Sequence, residues 1–76
     1  MIREHDLVVL TADPADERLK AGDVGTVVHV YKGGGAFEVE FAAFDGETLA
    51  VVTVAASGVR PVGRQDIPHA RPLAAV

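Results

Sequence analysis

The chain contains no cysteine, which excludes disulfide staples and thiolate-bound metals. It has no tryptophan, and aromatic residues make up only 5% of it. A surface that stacks successive bases draws on more aromatics than that. Positive charge is also scarce. Between Met1 and Pro61 ten acids face five bases, and the whole chain carries a formal charge of −4. Nucleic-acid affinity comes largely from neutralising phosphates, so an acidic body argues against that partner and suits a basic protein. No apolar run approaches the roughly 20 residues of a membrane-spanning helix. Met1 to Asp6 is charged where the apolar stretch of a leader would begin, so the expected location is cytoplasmic.

Hydrophobic residues, mostly Val and Ala, make up 49% of the 76 residues. That composition excludes disorder and points to one small domain. A chain this short buries a limited share of its surface. Without disulfides, oligomerisation is the remaining common staple, and a homo-oligomer is expected.

The chain is organised around Leu19 to Tyr31. A Gly- and Asp-containing turn, Ala21-Gly22-Asp23, feeds a β-branched run, Thr26-Val27-Val28-His29-Val30. This is a turn followed by a strand. Val27 and Val30 are three apart, so a bend or bulge midway is needed for both to face inward. Leu7-Val8-Val9-Leu10 reads as an earlier strand covered on both faces. The loop Thr11 to Arg18 separates the two, with room for a short helical turn capped by Asp13 and begun by Pro14. Lys32-Gly33-Gly34-Gly35 marks a hairpin. Ala36 to Phe41 alternates, with Phe37, Val39 and Phe41 on one face and Glu38 and Glu40 on the other. An Asp45-Gly46 turn leads to Thr48–Val54, whose lack of charge predicts a central or covered strand. Ala55 to Gly58 reads as a single helical turn. Val59 to Val62 is a last strand that Pro61 confines to an edge.

The pattern is all-β: a small five-stranded SH3-like barrel over 1–62 with a short helical turn before its last strand. Residues 63–76 form an extended or disordered tail whose Ile67, Leu73 and Val76 are placed to dock on a neighbouring subunit. Asp6 to Leu10, Leu19 to Tyr31, Phe37 to Phe41 and Asp45 to Thr48 together resemble a family of small stand-alone bacterial proteins, a domain of unknown function of the DUF4926 type. The resemblance spans roughly Asp6 to Pro61 and implies the barrel, with no activity to carry over. Lys20 to Val27 is also similar to the KOW motif of ribosomal proteins and transcription elongation factors, though its basic surroundings are missing.

No constellation for catalysis, a cofactor or a metal emerges. His5, His29 and His69 lack metal-ligand spacing. His29 and Tyr31 share a strand face. Glu38 and Glu40 lie about 7 Å apart by strand rise, on a barrel too small for a deep cleft. The glycines after Lys32 join two strands, whereas a phosphate-binding loop leads into a helix. Asp13, Asp16 and Glu17 lack calcium-loop spacing. Ser57 has no histidine at a recognisable offset. Loops on a rigid scaffold remain the best contact surfaces, which makes Asp13, Asp16, Glu17, Lys32, Glu38 and Glu40 the candidate partner-binding residues. The expected function is a non-catalytic protein–protein interaction module, an accessory subunit or antitoxin/immunity-type protein that binds a basic partner. The alternative is an RNA- or ribosome-associated module acting through the KOW-like turn.

Overall fold

Among the described residues five strands form: β1 (Leu7–Leu10), β2 (Val24–Val30), β3 (Ala36–Ala42), β4 (Thr48–Ala55) and β5 (Val59–Pro61). This computed structural model describes residues 1–73. The strands make one sheet in the order β4-β3-β2-β1-β5, every neighbour antiparallel. No strand pairing joins β4 to β5, so the barrel is not closed by hydrogen bonds. Single 3-10 turns span Lys32–Gly34 and Ala56–Gly58. The second is the helical turn expected before the last strand.

The sheet curls because one apolar cluster draws on all five strands. Val8, Leu10, Val27, Phe37, Val39, Phe41, Ala50, Val54 and Val59 are buried together, and Leu19 closes the cluster from the β1–β2 loop. The alternation predicted for β3 is realised: Phe37, Val39 and Phe41 point inward. The bulge predicted in β2 lies between Val27 and His29, where the register to β3 shifts. β2 pairs with β1 over Val24 to Thr26 and with β3 over Thr26 to Val30. Val27 is fully buried, and Val30 packs against the cluster from its edge. In the glycine turn after Tyr31, Gly33 and Gly34 take φ of 80° and 71°, values that suit residues without a Cβ.

Three expectations are corrected. β4 is neither central nor covered; it is an edge strand, and Val51 is half exposed. Lack of charge does not determine strand order: β4 pairs only with β3, the strand before it in the chain. β1 is not covered on both faces, since Leu7 is 51% exposed. The loop from Thr11 to Arg18 forms no helical turn. The Asp13 carboxylate accepts instead from the Ala21 N–H at 2.8 Å, and Asp16 accepts from the Arg18 N–H at 3.0 Å. The first of these bonds draws the Asp13 carboxylate away from the helix-capping position. Among the described residues no helix is long and apolar enough to cross a membrane.

The chain enters β1 through a tight turn. Asp6 N–H donates to the Arg3 carbonyl, His5 N–H to that of Val27, and Val27 N–H to that of Asp6. His5 is the one non-glycine residue among those described with positive φ, at 75°. A side chain there carries left-handed strain of about 1 kcal/mol or more. His5→Gly is therefore expected to leave stability unchanged or raise it by up to about 1 kcal/mol, read as the midpoint of urea unfolding. A clear loss would mean that the imidazole makes a stabilising contact.

Candidate functional site

The tail supplies the feature that the strands alone do not foreshadow. Residues 63–73 open with a turn in which the Asp66 N–H donates to the Gly63 carbonyl, then run without regular structure against their own chain's sheet, pinned at two points. At the first, Asp66 accepts from the Gly63 N–H at 2.6 Å and takes both ends of the Arg60 guanidinium at 2.9 and 3.1 Å. The Arg60 bond and the Gly63 N–H hold the Asp66 carboxyl below its ordinary range. At the second, Asp23 accepts from Arg71 at 2.8 and 2.6 Å and from the Lys20 N–H at 2.8 Å. His69 Nε2 lies 3.3 Å from the same carboxylate. Arg71 also donates to the Arg18 carbonyl at 2.8 Å.

Asp23 is therefore the hub of the turn and of the tail. Its side chain is only 13% exposed. That burial alone would raise its pKa, but the bonds from Arg71 and the Lys20 N–H, the charge of Arg71 and the His69 contact outweigh it. The net result is a carboxyl below its ordinary range. The turn also brings Gly22 against the His69 ring, where a Cβ would stand 3.4 Å from it.

Two grooves flank the tail. One, of about 640 Å³, lies between Ile67-Pro68 and the outer face of β5 and β1, with Leu7, Val9 and Val62 as its floor. The other, of about 310 Å³, lies between the Arg71–Leu73 end of the tail and the β3–β4 turn. Val24, Phe44 and His69 border both. Phe44 is 92% exposed and Ile67 87%. Leu73 and Leu7 are about half exposed. Phe44 directly precedes the Asp45-Gly46 turn, and the sequence alone does not single it out. Its only signal was an aromatic residue in a turn, where core packing does not require one.

Of the six candidate contact residues, Asp13, Asp16, Glu38 and Glu40 are held by local partners. Asp13 serves Ala21. Asp16 pairs with Arg18 at 2.7 Å; that bond and the Arg18 N–H bring its carboxyl down to about 2. Arg18 in turn donates to the Leu49 carbonyl, tying this loop to the start of β4. Glu17 is exposed, and Lys32 sits exposed at the hairpin turn. Glu38 accepts from Tyr31 Oη at 3.1 Å and Thr53 Oγ1 at 2.5 Å; Glu40 accepts from Thr48 Oγ1 at 2.5 Å. His29 packs edge-on against Tyr31, ring centres 4.7 Å apart. Thus His29, Tyr31, Glu38 and Thr53 do form a polar cluster on the outer face. It is shallow, with His29 and Thr53 exposed. Val76, one of the three tail residues expected to dock, lies outside the described residues.

Among the described residues no group of three or more His, Asp or Glu is arranged to hold a metal ion. A family model described as "Domain of unknown function (DUF4926)" matches residues 4–61. No curated protein and no solved structure gives a match.

Proposed function

The chain belongs to the DUF4926 family, a domain of unknown function, and on that premise we propose that it is a non-catalytic protein–protein interaction module. The observation that carries this reading is the contiguous apolar surface made by Phe44, Ile67, Leu73, Leu7 and Val24 around the two grooves. Single exposed apolar residues are ordinary, but a contiguous set around a groove marks a contact surface. An aromatic side chain standing almost free beside a groove is the usual form of a binding anchor. The charge of −4 favours a partner with a basic surface, as an accessory subunit or an antitoxin/immunity-type protein would meet.

The test is a nuclease-treated pull-down with tagged protein, comparing wild type with Phe44→Ser/Ile67→Ser. Both residues are exposed, so the thermal midpoint should stay within the range of ordinary surface changes, about 0.5 kcal/mol. Binding should weaken by about 2 kcal/mol, roughly thirtyfold, and rising salt should weaken what remains. An undiminished partner would remove this surface from the interaction. Bound material that disappears with nuclease and depends on the exposed Lys20 and Lys32 would favour the RNA reading instead.

A further inference from the structure

The two edges of the sheet are built differently. β5 is three residues long and carries Arg60 and Pro61. Val62 N–H donates to the Leu7 carbonyl and Thr11 N–H to that of Gly58. Alternation then turns Val59 and Pro61 toward the free side of β5. Pro61 has no N–H to offer there, so this edge is blunted. β4 runs for eight residues, Thr48-Leu49-Ala50-Val51-Val52-Thr53-Val54-Ala55, with neither a charge nor a proline. Natural edges are normally short, charged or covered. This one is none of these.

The register says which groups are free. Tyr31 N–H donates to the Ala36 carbonyl and Ala56 N–H to that of Gly35. Residues 37, 39 and 41 of β3 therefore bond toward β4, and their partners Val54, Val52 and Ala50 bond back. Val51 and Thr53 turn their N–H and C=O groups outward, and among the described residues no strand lies beyond them. At the start of the strand the Leu49 carbonyl is already taken by Arg18 at 2.9 Å. The usable edge is Val51 to Ala55.

We propose that two copies of this protein pair through that edge, β4 against β4, in an antiparallel two-fold dimer with one continuous sheet. The occupant follows from the asymmetry of the edges. A β4-to-β5 contact would build an open chain of subunits, and the blunted β5 edge opposes it. An isologous contact consumes both open edges and closes. Arg18 selects the register: centring on Thr53 sets Thr53 opposite Thr53 of the second copy, and Val51 opposite its Ala55. Centring on Val51 would need the occupied Leu49 carbonyl. The facing side chains are Thr with Thr and Val with small apolar groups, so the acidic copies meet along an uncharged line. This surface is separate from the apolar patch around Phe44, and the proposal does not depend on the function proposed for that patch.

The test is the mass of the full chain by light scattering, with backbone amide exchange. Wild type is expected at twice 7.9 kDa, with slow exchange at Val51 and Thr53. Thr53→Lys puts a charge on the edge beside Glu38 and should halve the mass while far-UV circular dichroism stays unchanged. Wild type that runs at 7.9 kDa at high micromolar concentration, with fast exchange at those two amides, overturns the proposal. So does a folded Thr53→Lys variant that remains a dimer. If Thr53→Lys fails to fold, exchange at the two wild-type amides still decides the matter.

Discussion

Gly25→Ala is expected to cost about 3 kcal/mol, lowering the thermal midpoint by something on the order of 10–20 °C for a domain of this size. Gly25 is buried at the point where β2 crosses the core. A Cβ there would stand 2.6 Å from Val39 Cγ1, 2.8 Å from Phe41 Cε1 and 2.9 Å from the Glu40 carbonyl oxygen. Side-chain atoms can move by a rotamer change, but Val39 and Phe41 are themselves packed in the cluster. The carbonyl belongs to the β2–β3 ladder and cannot yield without breaking the pairing of Thr26 with Glu40. Overpacking and loss of register therefore add. Gly25→Val should leave too little folded protein to measure, because a domain of this length holds only about 4–11 kcal/mol in total.

The contrast is Gly35→Ala. Gly35 has φ −80° and ψ −17°, a conformation any residue adopts. Nothing lies within 4 Å of its would-be Cβ. There the substitution only narrows the unfolded ensemble, and a gain of about 0.5 kcal/mol is expected. Chemical unfolding of the two variants side by side reads the difference between a glycine required for packing and one required for nothing. Equal midpoints would mean that β2 can shift outward at Gly25 and that the close approach to β3 is not what the fold depends on.

The same residues mark what was legible in the sequence. The Gly-Asp turn into a β-branched strand, the alternation of Phe37, Val39 and Phe41, and the three-residue spacing of Val27 and Val30 are local signals. Each reports the covalent neighbourhood that sets a strand, a face or a bulge. Pro61 on an edge was legible for the same reason, because a missing N–H is local. Strand order was not. An uncharged run such as Thr48–Ala55 looks central until pairing puts only β3 beside it. The tail was the larger gap. Its glycine and prolines indicate extended chain, while its fixed position depends on Arg71 reaching Asp23 across 48 residues. Asp23 showed only as a turn residue, and Phe44 only as part of a turn. Neither has a periodicity to reveal it, because the surface they border exists only once the tail lies across the sheet.

Asp23→Asn tests that arrangement, and its expected effect is on the tail more than on the sheet. The amide keeps an oxygen for the Lys20 N–H but loses the charge that holds Arg71 at 2.6 Å. A partly buried, charge-assisted pair of this kind is worth about 1–2 kcal/mol net. The variant should unfold that much more easily, and amides from Asp66 to Arg71 should exchange faster while those of β2 and β3 stay protected. The pH dependence has a fixed sign. Because the folded-state pKa of Asp23 is lowered, its contribution is complete above the ordinary carboxyl value of 3.8 and is lost as pH falls through the lower folded-state value. The stability difference between wild type and Asp23→Asn should thus be constant from pH 5 upward and shrink below pH 4. Asp16 and Asp66 titrate in the same acid range but are present in both proteins, so the difference isolates Asp23. A difference that persists unchanged at pH 2 would assign the effect to the shape of the Lys20–Asp23 turn. Loss of tail protection confined to the acid window would assign it to the Asp23–Arg71 ion pair, which would then be what fixes the apolar grooves in place.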